Sequence, residues 1–360
     1  MWYLWLNGIV MDMKEWRREL GLQILVAALL LSLACIGCVS SRTIADRALH
    51  APNQQIKLPK EFQHLDATLA TNFPIQRIAV GPPPATLELM VLEPGDYDAK
   101  LTSTITPHHP RKRNDRHRYD FNFSFNFSNL NPKPRPGTND LRGTIFLLHG
   151  YGLNKEIMLP WGLVLAKAGY RVVLVDLRGH GRSTGDRIYF GGIERTDLVQ
   201  CLDALVQRRV CEGPVGVLGI SYGAVLALQW AAIDPRVHSV TAISPYPDPG
   251  TAADRYLQTF APNLTWRTDR KVAALVASRL AGFPDLATET AIRQIKHPIL
   301  FVRGEQDEVC LREDLSRFQT AAPPGSEIKE VPLANHLVVG MCINQLRGPV
   351  IDWFHNRLAR

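Results

Sequence analysis

Residues 215–228, VGVLGISYGAVLAL, set one serine between two glycines at the point where an apolar run changes its period. Before the serine, Val215, Val217, Leu218 and Ile220 read as a buried strand; after it, Ala224, Val225, Ala227, Leu228 and Trp230 recur at helical spacing. Ser221 therefore stands where a strand turns into a helix. So abrupt a reversal brings the backbone against itself, which predicts that Gly219 and Gly223 sit where no side chain fits. Such a turn lifts a hydroxyl clear of the sheet and makes Ser221 a candidate nucleophile. The plain alternative is a small residue packed in a tight turn.

Outward from this stretch, apolar runs alternate with helical stretches from Arg142 onward. Strands are predicted over 143–150 (GTIFLLHG), 170–181 (YRVVLVDLRGHG), 237–245 (VHSVTAISP) and 298–307 (PILFVRGEQD), with helices between them. Strands separated by helices give an α/β fold, a mostly parallel central sheet with right-handed crossovers and flanking helices. Upstream, IQRIAV (75–80), ATLELMVLE (85–93) and YDFNFSFNFSNL (119–130) predict antiparallel N-terminal strands. In the last of these, Tyr119, Phe121, Phe123, Phe125 and Phe127 share one face. Between Pro245 and His297 the rhythm breaks, and a segment carrying Tyr256, Phe260, Trp266 and Phe283 predicts a small cap over about residues 246–297.

In a parallel sheet, functional groups gather at the carboxyl ends of the strands. Asp307 lies three residues past ILFVRG (299–304), and His336 follows the short run IKEVPL (328–333), whose Pro332 suits an edge strand. A serine hydroxyl is a weak nucleophile at neutral pH and needs a base to take its proton. His336 is the candidate base, and Asp307 the candidate carboxylate that orients the imidazole and stabilises its cation. Glu305 and Glu308 compete with Asp307, and His149 and His180 compete with His336. A tetrahedral oxyanion needs donors fixed beforehand, and the backbone N–H of Tyr222, directly after the serine, is one.

From about residue 76 to its end the chain resembles the α/β-hydrolase superfamily: LLHGYG (147–152), VDLRGHGRSTG (175–185), GISYG (219–223), RGEQD (303–307) and NH (335–336) fall in that family's order. The resemblance implies a catalytic triad of Ser221, Asp307 and His336 on a hydrolase domain spanning 76–360. It favours Asp307 over its glutamate neighbours by the offset from the strand, and gives His149 and His180 structural places. It supplies the second oxyanion donor, the N–H of Tyr151. Serine at the turn departs from the branches that carry Asp or Cys there, which include the dehalogenases, epoxide hydrolases and dienelactone hydrolases. The implied reaction is cleavage of a small-molecule carboxylic ester or thioester through an acyl-serine, as in carboxylesterases and lipases, with no metal and no organic cofactor. A serine peptidase or an acyltransferase of the same fold is the alternative within the class. A peptidase acting on free N-termini would want a carboxylate pair in the cap, for which Asp248, Asp254 and Asp285 are available. A non-catalytic binding or scaffold lipoprotein is the alternative from another class.

The bulk properties fit a globular chain: of 360 residues, 46% are hydrophobic and 21% charged. The formal charge of +7 is local, because HHPRKRNDRHR (108–118) holds five Arg or Lys against one Asp. No aromatic residue interleaves that patch, so nucleic acid is not an expected partner. Residues 1–41 read as a targeting segment. Lys14, Arg17 and Arg18 precede a stretch from Leu20 to Ser41 that holds no charge, the pattern of a secretory signal peptide. The run LSLAC (31–35) resembles a bacterial lipobox and makes Cys35 the candidate lipidated residue, with Cys38 as the second choice. The run is also about long enough to span a bilayer as an uncleaved anchor. Both readings expect an exported protein held at a membrane by its N-terminus, with residues 42–75 as a loosely packed polar tether. Outside the cytoplasm, Cys201, Cys211, Cys310 and Cys342 invite pairing. A Cys310–Cys342 bridge would tie together the two loops that carry Asp307 and His336; four buried thiols is the alternative.

Overall fold

The structure is a computed structural model that describes residues 9–12, 40–55, 73–107, 119–127, 141–260, 266–283 and 285–358. In chain order the elements are β1 (Ile9–Asp12), α1 (Ser41–Leu49), β2 (Ile75–Val80), β3 (Ala85–Leu92), β4 (Lys100–Pro107), β5 (Tyr119–Phe127), β6 (Thr144–Leu148) and α2 (Leu159–Lys167). There follow β7 (Arg171–Val175), α3 (Glu194–Gln207), β8 (Val215–Ile220), α4 (Tyr222–Ile233), β9 (Val237–Ile243), α5 (Pro249–Phe260), α6 (Trp266–Leu280) and α7 (Thr288–Ile292). The chain closes with β10 (Ile299–Gly304), α8 (Arg312–Ala321), β11 (Glu327–Val331) and α9 (Ile343–Arg357).

Eight strands form the main sheet in the order β11-β10-β9-β8-β6-β7-β3-β2. The six from β7 to β11 pair in parallel, while β3 pairs antiparallel with both β7 and β2. Every residue of β6 and of β10 is buried, because helices cover both faces; this is why those strands read as unbroken apolar runs rather than alternating ones. The alternation survives as a division of labour. Phe146 and Leu148 enter one core with α3, α4 and the cap, whereas Ile145 and Leu147 enter the other with α2 and α9. Because β7 and β8 flank β6 on opposite sides, the crossovers diverge there and leave a crevice at the carboxyl ends of β6 and β8.

The aromatic strand β5 has Phe121, Phe123 and Phe125 buried, as its alternation requires. It does not join the main sheet. It pairs antiparallel with β4 and with β1 in a separate three-stranded sheet whose phenylalanines pack into the α2/α9 core. The segment Ile9–Asp12, read as part of the leader, thus contributes a strand.

Of the 42–75 tether, residues 56–72 lie outside the described residues, and the loose packing expected of the rest is corrected over residues 42–55. Ser40 caps α1 by accepting the Thr43 N–H at 3.2 Å, and Ile44, Ala45, Leu49 and Ala51 are buried. Ile44, Ala45 and Leu49 share one face of the helix among polar residues and dock, and Ala51 is buried just beyond its end. The cap segment folds as α5, α6 and α7 between β9 and β10. The Cys310–Cys342 bridge is absent: all four described cysteines are free and buried, with Cys310 in the core on one face of the sheet and Cys342 in the core on the other.

Candidate active site

Ser221 links β8 to α4 with φ 53° and ψ −113°, a left-handed conformation that strains a residue bearing a side chain. Its N–H is held by the Ile243 carbonyl at 2.8 Å. The two glycines are there for want of space. A Cβ on Gly219 would lie 2.1 Å from the Gly223 carbonyl oxygen, and one on Gly223 would lie 2.2 Å from that of Leu148. The turn can be built this tightly only because both positions lack a side chain.

Three side chains that are far apart in sequence meet at this turn. Ser221 Oγ is 2.9 Å from His336 Nε2, and His336 Nδ1 is 3.0 Å from Asp307 Oδ1. Since a carboxylate only accepts, Nδ1 carries the proton and Nε2 is left to accept from the serine hydroxyl. Asp307 Oδ1 also accepts the N–H groups of Val309 and Cys310 at 2.9 and 2.8 Å, and Oδ2 accepts the Ser244 hydroxyl at 2.6 Å. Burial alone would raise the pKa of Asp307, but the facing imidazole and these donors outweigh it and hold the carboxyl below its ordinary value.

The loops that carry Asp307 and His336 are stitched together. Glu305 and Gln306 donate their N–H groups to the carbonyls of Val331 and Ala334, and the Glu305 carboxylate accepts the Leu333 N–H at 2.9 Å. A Cβ on Gly304 would lie 2.2 Å from the Ala334 carbonyl, so the closeness of the two loops depends on that glycine. Glu305 is thereby occupied as a loop tie. Burial raises the pKa of Glu308. Ser244, at the end of β9 with φ 54°, escaped the reading of the sequence although it ends a parallel strand in the same manner as Ser221.

His149 and His180 lie on the other side of the turn with ring centroids 5.0 Å apart. His149 Nε2 accepts the Leu177 N–H at 3.1 Å, leaving its Nδ1–H for the Gly150 carbonyl; His180 Nδ1 is 2.8 Å from the Arg178 carbonyl. Burial lowers His149 to about 4 and His180 to about 3, so both are neutral. His180 stacks on the Tyr222 ring at 5.6 Å. Tyr222 is the first residue of α4, so its N–H lacks an intrahelical acceptor. Tyr151 follows β6 and the buried His149, across the crevice from Ser221.

Ser221 and His336 open into a cavity of about 190 Å³ whose walls are mostly apolar. Tyr151, Tyr222 and Tyr246 line it near the turn, while Leu257, Val272 and Val276 come from the cap and Ile44 and Ala48 from α1. Of the cap aromatics singled out in the sequence, Tyr256 lines the cavity and Phe283 packs on Tyr189 instead. The side chains of Phe260 and Trp266 lie outside the described residues, as do Cys35, Cys38 and the basic patch at 108–118. Among the described residues, no helix is long and apolar enough to cross a membrane.

A mostly parallel sheet with helices on both faces, a serine on a strained strand-to-helix turn and a cap between β9 and β10 define the α/β-hydrolase fold. Comparison with known proteins agrees. Residues 139–281 match the family model described as serine aminopeptidase, S33. The chain is 30% identical to a pimeloyl-[acyl-carrier protein] methyl ester esterase of Edwardsiella ictaluri over 43% of this chain and 58% of that one. It is 26% identical to the phospholipase YtpA of Bacillus subtilis over 60% of this chain and 84% of the relative. The solved structure of the Pyrococcus furiosus esterase PF2001 superposes with a TM-score of 0.57 at 18% identity, covering 80% of this chain and 92% of that one. The chain spans 30%, 43% and 58% of the length of three curated relatives that it matches at 28–32% identity.

Proposed function

We propose that the protein is a serine hydrolase that cleaves a carboxylic ester or thioester with an apolar acyl group. One observation carries the reading: the hydrogen-bonded line from Ser221 Oγ through His336 to Asp307 ends in an apolar cavity. His336 Nε2 takes the hydroxyl proton as Ser221 Oγ attacks the acyl carbon, then returns it to the departing alcohol or thiol as the acyl–leaving-group bond breaks. Water, deprotonated by the same imidazole, then attacks the acyl carbon, and His336 returns the proton to Ser221 Oγ as the acyl–Oγ bond breaks and the acid leaves. The N–H groups of Tyr222 and Tyr151 receive the oxyanion at each tetrahedral stage, a contribution of about 3 kcal/mol per donor where such donors have been removed. Asp307 keeps Nδ1 protonated and stabilises the imidazolium.

Ester and thioester hydrolysis is favoured over attack on the N-terminus of a peptide by the cavity lining. It holds no Asp or Glu among the described residues, so an ammonium would find no counter-charge. Asp248 instead accepts from Thr251, Asp254 from Gln258 and Asp285 from Thr290. The charge pattern of the N-terminal run further supports export and attachment to a membrane, with Cys35 as the lipidated residue; cleavage before Cys35 removes β1 and leaves β5 paired with β4. Mass spectrometry of the mature N-terminus tests that part.

The deciding experiment is turnover of p-nitrophenyl esters by the full chain and by Ser221→Ala. Serine-dependent release of p-nitrophenol supports the reading. A folded wild type that neither turns over an ester nor takes a fluorophosphonate label at Ser221 overturns it.

A further inference from the structure

The segment 40–53 lies outside the residues that match the family model, yet it crosses directly over the Ser221 site. Ile44 and Ala48 line the cavity on the side opposite the sheet, and Ile44 is buried there. The segment is fastened at several points along its length. Asp46 pairs with Arg279 of α6 at 2.9 Å, and the Ala48 carbonyl accepts the Tyr151 hydroxyl at 3.3 Å. Beyond α1, the Leu49 carbonyl accepts the Ile188 N–H at 3.0 Å, and the N–H groups of Ala51 and Asn53 donate to the carbonyls of Asp186 and Gly179 at 3.0 Å each. The Asn53 side-chain amide donates to the carbonyls of Gly181 and Ser183 at 3.1 and 2.8 Å. Gly179, Gly181, Ser183, Asp186 and Ile188 all belong to the loop after β7 that contains RGHGRSTG. That loop is braced in turn by buried Asp176, which accepts the Arg182 N–H at 2.9 Å and faces Lys155 Nζ at 2.9 Å. Gly179 makes room for the segment: with φ 69°, a Cβ there would lie 3.0 Å from the Ala51 Cβ. A chain tied down this often behaves as a fixed wall.

We propose that the segment Ser40–Asn53 is the specificity wall of the Ser221 site, setting through Ile44 and Ala48 the length of acyl chain that the site accepts. The inference rests on the hydrolase reading and adds the substrate class. A cavity of about 150 Å³ takes a benzene ring, so the 190 Å³ here fits an unbranched chain of roughly six to eight carbons. Shorter chains leave part of the cavity unfilled, and longer ones meet the wall.

The test is kcat/KM of the full-length protein across p-nitrophenyl esters from acetate to dodecanoate, read as ratios within each variant so that a lower folded fraction cancels. The wild type is expected to peak between hexanoate and octanoate. Ala48→Trp fills the cavity from the wall and is expected to lower the octanoate-to-acetate ratio by at least about tenfold. Ile44→Ala opens it and raises the dodecanoate-to-hexanoate ratio several-fold. Arg42→Trp places the same indole on the solvent face of α1 and leaves both ratios as in the wild type. Wild-type turnover with both ratios unmoved in Ala48→Trp and Ile44→Ala overturns the wall alone. Absence of both turnover and Ser221 labelling in the wild type overturns the hydrolase reading, and the wall with it.

Discussion

His336 on one side of the Ser221 turn and the His149–His180 pair on the other differ in what their Nδ1 atoms face. His336 points Nδ1 at the Asp307 carboxylate, whereas His149 and His180 point theirs at backbone carbonyls. A carboxylate opposes burial strongly enough to stabilise an imidazolium; the carbonyls facing His149 and His180 also favour the cation, but burial outweighs them and keeps both rings neutral. The same side chain thus serves as a proton carrier in one setting and as packing in the other.

That contrast can be broken experimentally, and the largest effect lies on the His336 side. His336→Ala is expected to lower kcat by about 10⁶-fold, as loss of a base does in comparable triads. His149→Gln, measured in the same ester assay, is expected to fall far short of that. Asp307→Asn comes next, lowering kcat by about 10⁴-fold through the wrong imidazole tautomer. Rescue by Asp307→Glu would show that charge rather than shape is at stake. On the other side, the effect is on stability. The neutral forms of His149 and His180 contribute in full above the ordinary histidine pKa near 6.5, and their contribution is lost as the pH falls toward about 4 and about 3. The His149 contribution is on the order of 3 kcal/mol. Denaturant unfolding at pH 7.5 and 4.5 reads it, and His149→Gln, which cannot take up that proton, is expected to lose less on acidification. The smallest effect is expected from Ser244→Ala, which removes one donor from Asp307 and lowers kcat by about tenfold.

Much of this contrast was legible in the chain. Ser221, Asp307 and His336 each follow a short apolar run, and a parallel sheet brings the ends of such runs together, so position made them candidates, while the preference for Asp307 over Glu305 and Glu308 and for His336 over His149 and His180 came from the resemblance to the α/β-hydrolases. The aromatic alternation of 119–127 gave a strand and its buried face for the same local reason, but not the sheet it would join, because strand pairing depends on partners distant in sequence. Its neighbour β4, KLTSTITP, passed unnoticed: most of its side chains are exposed or half-buried, and its inward face offers only Leu101 and Ile105 as apolar side chains around Ser103. Helix α1 was hidden by its setting. Ile44, Ala45 and Leu49 mark a short helical face between a leader and a polar stretch, but the cap and the loop after β7 on which that face docks are distant in sequence and leave no local pattern. Ser244 was missed because its role, a hydrogen bond to the oriented carboxylate, depends entirely on where β9 lies beside β10.

The position of β11 has a bearing on endurance. It is an edge strand, paired only with β10, and Glu327, Ile328 and Lys329 are exposed. His336 therefore hangs from a rim of the sheet, while Ser221 is rooted at its centre. Rims open first when a fold fluctuates. On warming, residues 327–336 are expected to exchange their amide hydrogens for deuterium well before 215–221 do. Activity should then fade reversibly at temperatures where the middle of the sheet still holds, so that heat inactivation of this molecule begins as the departure of a single histidine.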